Sequence, residues 1–305
     1  MRIGIVIPTF NRCQSLVRCL ESLAAELSQN DLVTVVDAGS TDDTIATLKQ
    51  HFPDVDVERA TSDAWWAGLV NIGVKAVMAK GVDYVLTFND DNIATAGFLG
   101  ELRDVADKHP AAIVASVCCY SSDPHRIFFA GRVKNRWLDR YHYLDADSDV
   151  GKLELGVREV DLLHGMSTLM PRSVFEDVGL FDAQAFPHLF ADDDLVLRAA
   201  NKGYRRLVAL TSVVLNDRSK TGYNPYDRRL GLLGLWRLLR SRRSVYEVNR
   251  RVRFLWRHRS GFFRFVVTLV RDYLRLIAVV VARWLLPVDW FRSLGARFNQ
   301  LGARR

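Results

Sequence analysis

Through its first 120 residues the sequence alternates short β-branched runs with segments of helical period, and the runs end on polar residues. Residues 2–7 read as a first strand, and a helix over about 13–27 places Leu16, Leu20, Leu23 and Leu27 on one face. A second strand over 32–36 stops at Asp37, after which Ser40 or Thr41 caps a helix with Asp42 and Asp43 in its first turn, where their charge suits the helix dipole. Residues 55–58 make a short third strand, a helix runs over about 68–79, and 82–88 form a fourth strand ending on Asn89, Asp90 and Asp91. This alternation predicts an α/β fold, a mostly parallel sheet with crossover helices. Ligands of such sheets bind beyond the carboxyl ends of the strands, so Thr9, Asp37 and the Asp90/Asp91 pair should converge on one nucleotide-sized site.

After residue 120 the pattern loosens, with strand-like stretches at 126–133 and 157–163 and a helix near 193–202. No internal repeat or low-complexity segment is present. From about residue 230 the chain becomes rich in Arg, Leu, Trp and Val. Charge divides the same way: residues 1–217 hold 21 Lys and Arg against 31 Asp and Glu, whereas 218–305 hold 21 against 4. At 305 residues the chain suffices for one large globular domain and an accessory region. An acidic body with a basic tail directs the tail, rather than the body, to an anionic surface.

The stretch 262–287 holds five charges, and its longest uncharged run, 276–282, is seven residues. A membrane span needs about 18 or more. Arg264, Arg271, Asp272, Arg275 and Arg283 fall within an arc of roughly 120° on a helix, which predicts an amphipathic helix lying in a membrane interface. Residues 232–243 form a second such helix, and the arginines of 250–259 suit anionic headgroups. The alternative is that these helices pack on the body or on another subunit. Nucleic acid is not an expected partner, since apolar content is high and no nucleic-acid module is present. The cysteines Cys13, Cys19, Cys118 and Cys119 lack metal-ligand spacing and fit a reduced, cytosolic compartment. The apolar stretch at the N-terminus is too short for a secretory signal.

Six motifs in order, "IVIPTFNR", "VVDAGSTDDT", "WWAGLVNIGVKA", "LTFNDDN", "GMSTLMPRSVFEDVGLFD" and "ADDDLVLRA", make residues 1–217 resemble a family 2 glycosyltransferase with the Rossmann-like GT-A fold, of the bacterial rhamnosyltransferase-like, cell-surface-glycan kind. The resemblance implies a GT-A catalytic domain over 1–220, with a donor half over 1–120 and an acceptor half over 121–220, followed by the basic tail at 221–305. It implies inverting transfer from a nucleotide-sugar donor, UDP- or dTDP-linked, to a hydroxyl of a lipid-linked or polysaccharide acceptor. Pro8, Thr9, Asn11, Arg12, Asp37, Gly39, Trp66, Gly68, Asn71, Asn89 and Asp90 then fall on the donor side, with Asp37 toward the pyrimidine. Trp65, Gly165, Met166 and Ser167 fall on the acceptor side, the last three closing a strand.

The chemistry of these residue types agrees. A leaving diphosphate gains charge as the glycosidic bond breaks, and a hard divalent cation, Mn2+ or Mg2+, held by oxygen ligands neutralises it. Asp91 is the expected direct ligand, with Asp90 shared between the metal and the donor. The attacking hydroxyl must lose its proton, which requires a base on the acceptor side. Asp192 is the expected general base, with Asp193 the alternative if the register shifts by one, while Asp194 suits an i,i+4 pair with Arg198. The sequence departs from the family pattern at Ala38, at Asn89 in the first position of its acidic triplet, and at Ala191. It also has Asn216 and Asp217 where a His is common, so that Arg218 or Lys220 would stabilise the diphosphate. Competing classes are a sugar nucleotidyltransferase, which would need a Gly- and basic-rich phosphate loop in place of "PTFNRCQS", and a non-catalytic glycan-binding scaffold. A peripheral location on the cytoplasmic face of the inner membrane follows from an interfacial tail, and a homo-oligomer is compatible with it.

Overall fold

In a computed structural model that describes residues 1–135, 137–217 and 231–285, the chain builds one large mixed sheet flanked by helices. The first half runs β1 (Ile3–Thr9), α1 (Cys13–Ala24), β2 (Leu32–Asp37), α2 (Thr44–His51), β3 (Asp56–Arg59), α3 (Trp65–Ala79), β4 (Tyr84–Phe88), β5 (Asn92–Ala94), α4 (Phe98–Lys108) and β6 (Ala112–Tyr120). The second half runs β7 (Asp123–Phe129), β8 (Arg132–Lys134), β9 (Tyr141–Tyr143), β10 (Val157–Glu159), β11 (Ser167–Pro171), α5 (Arg172–Val178), α6 (Ala191–Asn201) and β12 (Arg205–Asn216). Strand order in the sheet is β10-β12-β6-β11-β4-β1-β2-β3. Neighbours among β4, β1, β2 and β3 are parallel, as are β6 and β12, while β11 lies antiparallel between β4 and β6.

That reversed strand corrects one expectation. Gly165 and Met166 lead into β11, which Ser167 opens rather than closes, and Ser167 pairs with Phe88, the last residue of β4. An antiparallel strand starts at the edge where its neighbours end, so these residues still reach the same edge.

Alternation along β1 sends Ile3, Ile5 and Ile7 into a core with Leu16, Leu20 and Leu23 of α1 and Leu102 of α4, and sends Val6 into the opposite core with Val70, Val74 and Val77 of α3. Each such fully buried aliphatic side chain contributes about 1.5–3 kcal/mol. A Cβ on Gly73 would overlap the Val6 side chain, so only glycine lets α3 lie this close to β1.

Helix starts differ from the sequence pattern. The helix α2 begins at Thr44, because Asp42 accepts from the Thr44 N–H at 3.2 Å and the Cys13 N–H at 3.1 Å and so shapes the loop before it. Ser40 and Thr41 pair with Asn11 instead of capping the helix. The helix α3 begins at Trp65, three residues before Gly68.

The tail forms α7 (Leu232–Arg240), α8 (Val248–Arg257) and α9 (Phe262–Leu285). Phe254 of α8 joins the core of the body and stacks on Phe190 with centroids 4.9 Å apart. Arg257 bonds Asp194 at 2.9 Å and Asp182 at 2.8 Å. Asp272 of α9 meets Arg251 and, at 3.4 Å, Arg140, while Thr268 accepts from the Asp139 N–H at 3.0 Å. The helix α9 therefore turns Thr268, Asp272 and Arg283 inward and leaves Val270, Leu274, Ile277 and Val281 outward, 51, 60, 52 and 49% exposed. Of the expected charged arc, Arg271 and Arg275 are exposed, whereas Asp272 and Arg283 are buried. Among the described residues no helix is long and apolar enough to cross a membrane. The boundary expected at 220/221, and with it Arg218 and Lys220, lies outside the described residues.

Candidate active site

The carboxyl edge of the sheet gathers the expected polar residues. Thr9, at the end of β1, donates its hydroxyl to Asp90 at 2.8 Å and stands beside Asp37 in the β1–β2 register. The turn after β4 is locked from β11: Met166 O accepts from the Asn89 N–H at 3.1 Å and from the Asn92 amide at 2.6 Å. Asn216, closing β12, donates to Asp91 and to Asn92, each at 2.8 Å. Arg12 then places Nη1 3.0 Å from an oxygen of Asp90 and 3.0 Å from an oxygen of Asp91. Burial pushes the Asp90 carboxyl up to about 6, with Arg12 opposing and Asp91 adding to the rise, and burial also raises Asp91.

Two largely buried carboxylates facing one guanidinium leave a net negative charge among hard oxygens. That donor set fits a divalent cation completed by phosphate oxygens. Among the described residues no group of three His, Cys, Asp or Glu forms a cage by itself.

A second carboxylate group is built on the first turn of α6. Phe190 enters that helix in the left-handed region, φ 70°, and its ring is held by Phe254. Asp192 accepts from the Gly165 N–H at 2.8 Å and from the Asp193 N–H at 3.0 Å. Burial, and then the neighbouring Asp193, push its carboxyl up to about 6. Asp193 is engaged through both oxygens by Arg132, a residue that the sequence did not single out, and Asp194 is fully buried among Arg198, Arg257 and His258. The i,i+4 pair of Asp194 with Arg198 is thus present.

Trp66 joins the two sides. Its indole N–H donates to Asn89 at 3.1 Å, and its ring covers Gly165, where a Cβ would lie 2.6 Å from the ring edge and 3.1 Å from the Asp192 Cβ. Glycine at 165 is what lets tryptophan and carboxylate close on each other. His164 shapes the same loop, its Nδ1 accepting from the N–H groups of Met166 and Ser167 at 3.0 and 3.3 Å.

Other expected residues are committed elsewhere. Asn71 clamps the Phe181 backbone, donating to its O at 2.8 Å and accepting from its N–H at 3.0 Å, so its amide ties α3 to the loop after α5 rather than facing a donor. Gly68 lies inside the first turn of α3 rather than at its start, and the nearby Ala67 N–H donates to Pro187 O at 3.0 Å. Ser167 is fully buried and shares a 2.7 Å bond with Ser116, which turns its hydroxyl into the sheet rather than toward an acceptor. Asp37, also fully buried, accepts from the N–H groups of Gly39 and Ser40 and meets Arg59 at 3.4 Å. Gly39, at φ 79°, needs no side chain to make that turn. Asn11 bridges the loops after β1 and β2, and Pro8 belongs to β1 beside Val36. Trp65 is half-buried against His188, centroids 5.8 Å apart.

The sequence model of the family described as Glycosyl transferase family 2 matches residues 4–178. An uncharacterized Mycobacterium tuberculosis protein is 26% identical over 178 residues, 57% of this chain and 62% of its own length, so the chain spans less than two thirds of that relative. The N-acetylglucosaminyl-diphospho-decaprenol L-rhamnosyltransferase of Mycobacterium tuberculosis is 25% identical over 247 residues, 72% of this chain and 78% of its own. The dTDP-rhamnosyl transferase RfbF of Shigella flexneri is 26% identical over 202 residues, 65% of this chain and 63% of its own. Among solved structures, the mannosyltransferase PcManGT from Pyrobaculum calidifontis, in complex with GDP-Man and Mn2+, aligns with a TM-score of 0.56 at 17% identity, covering 97% of this chain and 79% of that one. That likeness is one of fold, GT-A.

Proposed function

This chain belongs to glycosyltransferase family 2, and from that premise we propose that it moves a sugar, with inversion, from a UDP- or dTDP-sugar to a hydroxyl of a lipid-linked or polymeric glycan. The observation that supports this reading is the continuous contact from the Asp90/Asp91 pair through Asn89, Trp66 and Gly165 to Asp192, which joins an acidic pair to a carboxylate bonded by backbone N–H groups.

Asp192 is the general base. Its alternative, Asp193, is neutralised by Arg132, whereas the bonding partners of Asp192 are backbone N–H groups that orient it without adding a cation. As the acceptor oxygen bonds to the anomeric carbon and the bond to the diphosphate breaks, the hydroxyl proton passes to a free lone pair of Asp192. A carboxyl held near 6 is ionised at neutral pH and basic enough to take that proton. Asp91 and Asp90 would hold the divalent metal, Mn2+ or Mg2+, which when bound supplies neutralising charge for the leaving diphosphate. Arg12 adds a fixed positive charge at the same end. Asp37 would serve the nucleoside base by holding the turn at Gly39 and Ser40.

The tail binds the cytoplasmic face of an anionic membrane. This is supported by the outward apolar stripe of α9, flanked by exposed Arg271 and Arg275, on a helix whose polar side is spent on the body. A peripheral enzyme of this build reaches an acceptor embedded in that membrane.

The test is direct transfer by Asp192→Asn beside a thermal-shift panel of nucleoside diphosphates with and without Mn2+. Wild-type stabilisation by UDP or dTDP with metal, and loss of transfer in the variant with nucleotide binding kept, are expected. Undiminished transfer by the variant refutes the base.

A further inference from the structure

The turn between α7 and α8 carries two exposed cations, Arg242 and Arg243, for which the described residues provide no ion-paired carboxylate. Of the tail's other arginines, Arg250 pairs with Glu247, Arg251 with Asp272, and Arg257 with Asp182 and Asp194. The turn is nevertheless held in place. Ser244 is buried and its N–H donates to Ser241 O at 3.0 Å, the Arg243 N–H donates to the Ser241 hydroxyl at 3.2 Å, and Glu247 caps α8 by accepting from the Arg250 N–H at 2.8 Å. Tyr273 of α9 donates its hydroxyl to Tyr246 O at 3.3 Å, tying the turn to the helix with the outward apolar stripe.

The turn lies beside the active site. The Arg242 guanidinium carbon stands 5.5 Å from the centre of the Trp65 ring, and Trp65 opens α3 in the left-handed region, φ 53°, one residue before the Trp66 that covers Gly165 next to Asp192. Trp65 also tilts against His188. Burial lowers the affinity of that imidazole for a proton, and Arg243 and then Arg12 oppose its protonation further, so cations from the tail and from the donor side approach it together.

We propose that Arg242 and Arg243, with Trp65 at their side, form an acceptor subsite that binds the phosphate or diphosphate joining the sugar of a lipid-linked acceptor to its lipid. The proposal rests on the glycosyl-transfer reading and narrows its acceptor class. The donor's own diphosphate is assigned to Arg12 and Asp91, which leaves Arg242 and Arg243 for a second anion, that of the acceptor. Guanidinium forks suit phosphate oxygens, the indole face suits a sugar ring, and α9 leads the attached lipid into the membrane surface.

The test uses the full chain and farnesyl diphosphate as probe, titrated calorimetrically with the donor site saturated by UDP or dTDP and Mn2+. Wild type should bind it, and R242Q/R243Q should bind it about tenfold or more weakly, with R242K/R243K intermediate. Nucleoside diphosphate affinity should be unchanged in both variants, as should affinity for vesicles of phosphatidylcholine with phosphatidylglycerol. No binding by wild type, equal binding by the glutamine variant, or displacement of the probe by the nucleotide overturns the subsite. A variant that loses vesicle affinity but keeps probe affinity assigns the arginines to bulk headgroups and also overturns it. Failure of wild type to bind any nucleoside diphosphate refutes the transferase reading itself.

Discussion

Arg12 stands between Asp90 and Asp91, its Nη1 3.0 Å from an oxygen of each. One cation shared by two buried carboxylates makes the site's charge balance depend on a residue 78 and 79 positions away in sequence.

Removing that cation leaves two carboxylates facing each other out of water. Arg12→Gln should lower stability by roughly 2–4 kcal/mol in metal-free buffer, and Mn2+ should restore much of the loss. Melting temperature with and without Mn2+ measures this; an equal deficit in both conditions rejects the shared-charge account.

Asp91→Ala removes one carboxylate while Arg12 keeps Asp90 and Asn216 keeps Asn92. The fold should persist, Mn2+ should no longer raise the melting temperature in the presence of nucleotide, and transfer should fall by roughly 10³-fold or more. Retained metal-dependent transfer would move the ligand elsewhere.

Asp192 must be ionised to accept a proton, and its folded pKa is raised to about 6. The value of kcat/KM should therefore be full above that pH and fall tenfold per unit below it. Asp192→Asn should abolish the limb together with the activity. A profile flat down to pH 5 contradicts the assignment.

The tail is part of the catalytic body. Asp194, two residues after Asp192, is fully buried among Arg198, Arg257 and His258, and its carboxyl is held down at about 2, burial opposing the bonds from His258, Arg198 and Arg257. Because this folded pKa lies below the unfolded value, the stabilisation is complete above about pH 4 and is lost as pH falls through 2. Arg257→Ala should cost roughly 3 kcal/mol and Phe254→Ala roughly 3–5 kcal/mol. Truncation before residue 231 should destabilise the body, and denaturant melts that match the full chain would refute this.

Because truncation disturbs the body, membrane binding is better tested on the outward face of α9. Leu274→Glu with Ile277→Glu touches two residues that are 60 and 52% exposed. Affinity for anionic vesicles should fall at least about tenfold with melting temperature unchanged. Unaltered flotation with vesicles would exclude this face.

The first four strands, the face of α1 and the polar residues closing β1, β2 and β4 were legible in the sequence. A strand's two-residue period and a helix's 3.6-residue period are written into neighbouring positions, and a carboxylate that ends an apolar run is visible where it stands. Asn71 and Ser167 show where that legibility stops. Both are polar residues near the edge, yet Phe181 and Ser116 claim them, and those partners lie 110 and 51 positions away.

What the sequence determined by itself was therefore the α/β scaffold and the edge on which Thr9, Asp37, Asp90 and Asp91 meet. Tertiary structure alone decided which carboxylates of the 192–194 run are paired with cations. Arg132 reaches Asp193 across 61 positions and Arg257 reaches Asp194 across 63, whereas among the described residues Asp192 is hydrogen-bonded by backbone N–H groups. It also decided the facing of α9, since an amphipathic helix can bury either side. Asp272 turned its polar side inward because Arg251 and Arg140 were already there to neutralise it.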